Sequence, residues 1–540
     1  MTRGKRRPSS PKLKWIRLHW LVRDYSHLTA KSSIELMACH PMLENFDILY
    51  HCFNILMEEP SGTQTLAMVI RCCRSWFQPG AMVLWRDMKS ALPLFKLLPS
   101  FQLVDKIYFL CTSPTDRQLA RMKEYGKFVR SLRLLEDIAI DSSFYIYMAQ
   151  SSGHDPITPS LQKLSWAPPA PGVLLFMSPS LRYAAVYTAG VGWSWGLSGC
   201  PRLLDGSPGA HIIELSLSRL AAVVPNLEGF ELYGEIPKYP QHITGFGKLQ
   251  HLVLKNATSP QHLFPLLSFI SKLKDMELDV GSSPYIEGTF SHGSLSLLER
   301  LSLSGHTSVI TATLRSLSLP RLHDLSLSCR VATSVPVLRG PLAHFLPSLR
   351  KIHLSASVKA PPDVEFYDIS FILEPLLSVR GLENISVSFS SSSKIPLFSF
   401  QDAGVEAVVR SCPGLKQLSI KYRRAKAYPT IHCLSSLAHH CSVLRILRLD
   451  FTTSDLPNLC DIPILSHPLQ TLIVSGTTKA DHPRKLALLL NRLFPYLSDV
   501  KQDNVRFRLK EKNTWDEVSD SLNHLSLAIQ ADMARRRIEG

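Results

Sequence analysis

The sequence predicts an α/β chain: a short helical module near the N-terminus, then a long solenoid whose units each supply one strand and, in the clearest cases, one helix. Three observations carry this expectation. A Leu-x-x-Leu-x-Leu frame with aliphatic substitutions recurs eleven times, from Leu227 to Leu497. The last two apolar positions of each copy flank one polar residue, the alternation of a short strand with one buried face. Ahead of the array, Leu43, Phe46, Leu49, Tyr50, Phe53 and Leu56 recur at helical spacing instead. At 540 residues the chain exceeds what one core usually organises, and 45% hydrophobic with 19% charged residues is a globular balance.

Residues 1–40 read as a basic, poorly ordered arm. Lys and Arg exceed Asp and Glu by 16, and residues 1 to 31 hold nine basic residues against Asp24 alone. Arg3, Lys5, Arg6 and Arg7 have the composition of a nuclear address or a loose phosphate contact, or of a solvated terminus. No clean apolar run follows to make a secretory signal, and Tyr183 to Trp195 falls short of the roughly 20 residues of a spanning helix. The chain is therefore expected to be intracellular, in nucleus or cytoplasm, without a membrane. Eleven scattered cysteines, odd in number and without a CxxC pair, fit a reducing compartment.

Residues 41–100 read as three short helices. "EEPSG" breaks the first, the second begins near Thr63 with that hydroxyl as its cap, and Pro79 opens a third containing Met82, Val83, Leu84 and Trp85. Residues 101–154 are expected to be a helical linker. The solenoid then spans 155–505, with "LQKLSW" at Leu161 and "IIELSL" at Ile212 as opening repeats and an insertion at 167–210 between them.

Start-to-start spacings from Leu227 are 22, 24, 25, 24, 27, 33, 33, 29, 25 and 28 residues. "LRSLSL" at Leu314 is rejected because it lies only eight residues before the copy at Leu322. A second apolar register, three residues before the first Leu, comprises Val224, Leu346, Cys412, Cys441 and Phe494. "DAGVEAVVRSC", "LSSLAHH" and "RKLALLLNRLF" supply helices, and such units bury their apolar faces only by stacking. Residues 506–540 read as a helical cap.

If the strands line one face, the polar residues between their apolar positions point out of it. Glu231, Glu277 and Asp279 come first, then Ser302, Ser304, Ser326, Ser328 and Ser386, then Lys421 and Arg448. The run from acidic through neutral to basic suits a protein partner better than nucleic acid, which favours a continuous basic stripe; an ordinary solvated sheet face is the alternative. No Walker, G-x-S-x-G or H-E-x-x-H motif marks an enzyme. In "CLSSLAHHC" Cys441 belongs to the inward register and adjacent His439 and His440 diverge on a helix, which argues against a metal. No cofactor is expected.

The repeats resemble the leucine-rich-repeat family, "CPGLKQLSI" and "CSVLRILRL" most closely its cysteine-containing class, though no asparagine ladder follows the strands. The helical module resembles an F-box: a Leu-rich first helix, then Cys73, Arg74 and Trp76, then Leu84, Trp85 and Arg86. With "MKSALPLFKLLPSF" it looks like the fungal F-box proteins that carry irregular leucine-rich repeats. The resemblance implies a non-enzymatic substrate receptor that docks the Skp adaptor of a cullin-RING ubiquitin ligase through Pro41, Leu43, Leu49, Phe53, Leu56, Leu66, Cys73, Trp76 and Trp85. A repeat scaffold without any ligase is the alternative, and an enzyme hidden in the 167–210 insertion a third class.

Overall fold

The strands of successive frames pair with one another in parallel. The computed structural model describes residues 44–135, 139–153, 155–167, 171–187, 208–234, 241–255, 267, 269–281, 293–332, 348–358, 366–391, 396–422, 425–475, 480–503 and 514–539. They fall into two compact units, the first through Leu249 with Lys238–Pro240 excepted, the second from Gln250 together with those three.

In the first unit, α1 (Phe46–Glu58), α2 (Gly62–Val69) and α3 (Arg74–Arg86) close on Leu49, Phe53, Leu66, Ile70 and Val83. Asn45 caps α1 by accepting from the amides of Asp47 and Ile48. The N-cap of α2 is Ser61, which makes no side-chain cap bond, so Thr63 lies inside the helix. Gly62 sets that start, because a Cβ there would meet the Leu56 carbonyl oxygen at 2.0 Å. Helix α3 begins at Arg74, five residues before Pro79, which sits inside it and forgoes one helical bond. Next to it, a Cβ on Gly80 would lie 2.0 Å from Ile70 Cγ2, so only glycine lets α3 lie this close to the end of α2.

The supposed helical linker holds strands. After β1 (Asp87–Met88) and α4 (Leu92–Phe95), β2 (Phe101–Val104) and β3 (Ile107–Leu110) form an antiparallel hairpin. Its two-residue turn places Asp105 and Lys106 at φ 50° and 68°, as a type I′ turn requires. Helix α5 (Asp116–Gly126), strand β4 (Ser131–Leu134) and helix α6 (Ser142–Ser151) follow. β4 pairs in parallel with β1 on one side and with β5 (Lys163–Trp166) on the other, and the ladder continues to β6 (Tyr183–Tyr187) and β7 (Gly229–Tyr233). The parallel ladder thus opens near residue 87, not 155. "IIELSL" is no strand: it lies in α7 (Pro208–Val223).

The second unit continues with β8 (His251–Lys255), β9 (Asp275–Asp279), β10 (Gly293–Ser294), β11 (Arg300–His306), α8 (Thr307–Ser316), β12 (Leu317–Ser318) and β13 (Asp324–Ala332). Then come β14 (Lys351–Val358), β15 (Tyr367–Asp368), α9 (Ile369–Leu373), β16 (Asn384–Ser391), β17 (Phe398–Ser399), α10 (Asp402–Ser411), β18 (Gln417–Tyr422) and β19 (Ala425–Ala427). Helix α11 (Cys433–His440), β20 (Ile446–Arg448), β21 (Thr471–Ser475), α12 (Pro483–Leu493), β22 (Asp499–Asp503) and α13 (Thr514–Glu539) close the chain. Strands β8, β9, β11, β13, β14, β16, β18, β20, β21 and β22 form one parallel ladder, with the short ladders β10–β12 and β15–β17–β19 beside it. The rejected frame at Leu314 ends α8 and enters β12, outside the main ladder.

A row of carbonyls fixes each strand to the last. Lys274 O accepts from the amides of Glu299 and Arg300, Glu299 O from His323 and Asp324, and so on to Gln470 O, which accepts from Ser498 and Asp499. Frame residues such as Leu301, Leu325, Leu418 and Leu447 are buried, as are Val224, Cys412, Cys441 and Phe494 of the second register; Leu346 lies outside the described residues. Helix α13 packs on α12 and β22, with Trp515 buried edge-on to Phe451.

Candidate functional site

Strand alternation presents two polar rows on the outward face of the second unit's ladder. One runs Glu277, Ser302, Ser326, His353, Ser386, Ser419 and Arg448, the other Asp279, Ser304, Ser328, Ser355, Ser388 and Lys421. Serine supplies the middle of both, except for His353 in the first. The expected order from acidic to basic is present in register, yet the charges at both ends are satisfied within the sheet.

Glu277 pairs with Lys255, and Asp279 with Arg330 from β13. Beside them, Asp275 is gripped by Arg300 and His251. Burial pushes the Asp275 carboxyl up, and those two partners outweigh it and hold the group below the usual carboxylate range. At the other end Lys421 Nζ lies 2.6 Å from Asp503, which also pairs with Arg448. The Lys421 hydrogen bond, aided by the Arg448 charge, lowers the Asp503 pKa. Sequence reasoning missed Asp503 because it stands at the end of the degraded last copy.

Glu231 differs. It lies outward on β7 in the first unit, in register with Ala185, Ser165 and, on β4, Arg133. Tyr233 donates its phenol to Glu231 Oε2 at 3.0 Å, and no cation pairs with that carboxylate among the described residues. Lys163, Ser165, Tyr183, Ala185, Gly229 and Glu231 line a shallow depression of about 150 Å³. Tyr183 leans over Gly229, where a Cβ would meet the ring at 2.4 Å, and Lys163 Nζ stands 5.4 Å from the centre of the same ring. Tyr187 and Tyr233, at the next outward positions of the same two strands, stack at 4.6 Å. Burial, then the Glu231 charge, raise the Tyr187 pKa, and Arg133 pulls it the other way.

The adaptor candidates separate by burial. Leu49, Phe53, Leu66 and Trp85 are interior, Leu56 and Trp76 pack partly buried against the same cluster, and Cys73 is half-buried at the α3 N-cap. Trp76 stands edge-on to Phe53 and Trp85 lies 4.9 Å from Tyr125, which gives "IRCCRSWFQPGAMVLWRDM" a packing role. Arg86 Nη1 donates to Asn54 Oδ1 at 2.7 Å and ties the end of α3 to α1. Pro41 and Leu43 lie outside the described residues. Four apolar side chains of the module do face solvent: Phe46, Ile55, Met68 and Phe77.

Cys433 and Cys441 are interior while His439 and His440 are exposed, so "CLSSLAHHC" splits across the helix. Burial pushes the Cys441 thiol up to about 12 and that of Cys412 up to about 11, which makes both poor ligands and nucleophiles. Among the described residues no group of three or more His, Cys, Asp and Glu is placed to hold a metal, and no helix is long and apolar enough to cross a membrane. Of the 167–210 insertion, the described part holds a short 3₁₀ turn at Pro171–Phe176, the ladder strand β6 and the start of α7.

No family model and no curated protein matches the chain. Solved structures do. The yeast Rad7–Elc1 complex is 12% identical over 69% of this chain and 86% of that one, at a TM-score of 0.33. The LRIM1/APL1C complex is 14% identical over 81% and 77%, at 0.34. A Bacteroides fragilis protein is 14% identical over 50% of this chain at 0.27, and the chain spans 65% of its length. What the structure itself shows is a repeated parallel strand, one to a frame.

Proposed function

We propose that this chain is the substrate-recognition subunit of a Skp-cullin-F-box ubiquitin ligase, its helical module docking the Skp adaptor and its sheet face capturing a protein. It makes and breaks no bond itself; it raises the effective concentration of the captured protein at a separate catalytic machinery. The observation that supports the reading is the three-helix cluster ahead of a parallel repeat ladder, with Phe46, Ile55, Met68 and Phe77 exposed on a module otherwise closed on its own core. Nucleus or cytoplasm suits it equally.

Because Leu49 and Phe53 are interior, substitutions there unfold the module before they inform on docking. Ile55→Asp and Met68→Asp test it instead. Purified Skp adaptor is expected to retain the intact chain, and each variant is expected to lose at least tenfold in retention with an unchanged melting curve. An intact chain that does not bind the adaptor sinks the ligase reading. The scaffold reading then stands, favoured by the number of adaptor candidates that the helical core consumes.

A further inference from the structure

The outward face of the first unit carries charge that its own neighbours do not consume. In the second unit Asp275, Glu277, Asp279, Lys421 and Arg448 all sit in ion pairs. On β4 to β7, Arg133, Lys163 and Glu231 make no ion pair among the described residues. Each has a defined place: Arg133 and Glu231 share one register row across four strands, with the small Ser165 and Ala185 between them. Lys163 is held over the Tyr183 ring, and the Tyr233 phenol positions Glu231. The result is a dipolar trough, Arg133 at one end and Glu231 at the other, with Lys163 over the Tyr183 ring between them.

Three strand spacings put Arg133 and Glu231 roughly 14 Å apart. Four residues of extended chain advance roughly 13 Å and return the side chain to the same face. We propose that this trough binds an extended peptide segment of the captured protein that carries an acidic side chain and, four residues away, a basic one. The acidic group sits at Arg133. The basic group reaches the Glu231 carboxylate on the side of the stacked Tyr187 and Tyr233 rings. The residue midway lies over the small Ser165 and Ala185, which leave room for an apolar side chain between the Tyr183 and Tyr187 rings. A uniformly acidic or basic segment meets one matching pole and one opposing pole, so charge order gives the selectivity.

The inference rests on the sheet face being a capture surface and not on the adaptor. Its test uses the full chain alone, with fluorescein-labelled, end-blocked peptides read by anisotropy. The probe is Gly-Ser-Glu-Ser-Leu-Ser-Arg-Ser-Gly; the comparisons replace Arg by Glu, replace Glu by Arg, or move Arg to two residues from Glu. The probe is expected to bind at least tenfold more tightly than each comparison, and more weakly as salt rises. Glu231→Arg is expected to reverse the preference toward the Glu/Glu peptide, a gain that misfolding cannot produce. Arg410→Ala, on helix α10 and in neither polar row, is expected to change nothing. Equal binding of all four peptides, no binding of the probe, or an unchanged preference in Glu231→Arg overturns the proposal. A chain that binds adaptor but not probe keeps the ligase reading and loses this one; a chain that binds probe but not adaptor does the reverse.

Discussion

His467 shows how one buried ring replaces a turn. Its copy is a residue short, "HPL" standing where others have "CPGL" or "CSVL". Leu469 donates its amide to Nδ1 at 3.2 Å, so Nδ1 is the acceptor; Nε2 therefore carries the proton and donates to Cys441 O at 2.7 Å. A second proton would oppose the first of these bonds. Burial, the larger influence, lowers the His467 pKa, and the bond to Cys441 only partly offsets it. With the folded pKa below the unfolded one, the unfolded chain takes up the proton first as pH falls. His467 therefore costs nothing above pH ~6.5 and destabilises the fold as pH drops below it. His467→Gln is expected to have a lower melting temperature at pH 7.5 but a smaller further drop at pH 5.5 than the unaltered chain, measured by circular dichroism. An identical drop in both refutes the assignment. The sequence marked the second register through Cys412 and Cys441 but not this residue, because a one-residue deletion moves it out of frame.

At the scale of an element, apolar burial and surface charge are worth different amounts. Leu447 in β20 is fully buried, and Leu447→Ala is expected to cost about 2–5 kcal/mol in urea unfolding. Asp503→Asn removes the shared partner of Lys421 and Arg448 from a partly exposed site, for an expected loss of about 1 kcal/mol or less. The sign differs from that of His467. The folded Asp503 pKa is depressed, so its contribution is present above the unfolded carboxylate range and lost as pH falls through it; the Asn variant should lack that part of the acid limb. Strands from β7 onward were legible because two inward apolar positions and a preceding Leu repeat in order. β4 carries the same frame in Val129, Leu132 and Leu134, all it needed to be found. β6 hides because Ala184 stands where Leu is usual. "IIELSL" misleads because its spacing also suits a helix: Leu215 and Leu217 lie about 200° apart around α7, one exposed and one buried, whereas in a strand both would face inward.

For the molecule as a whole, the class of fold and the helical module were readable from periodicity, and the charges of the candidate surface were readable in type but not in state. Only packing decides which carboxylate is spent on a neighbour. Lys255 and Glu277, or Lys421 and Asp503, are 22 and 82 residues apart in sequence, and no local pattern joins them. The carbonyl row that joins strand to strand makes every repeat interchangeable at its point of attachment. Arg350 O accepts from Glu383 and Asn384 just as His323 O accepts from Arg350 and Lys351. Excising residues 351–383 joins Arg350 to Asn384 and lets β16 take the berth of β14 beside β13, in the same register. The chain is expected to survive as a shorter cassette, with a smaller denaturant dependence of unfolding. Such an array can lengthen or shorten in evolution by whole copies, each event leaving the apolar interior matched.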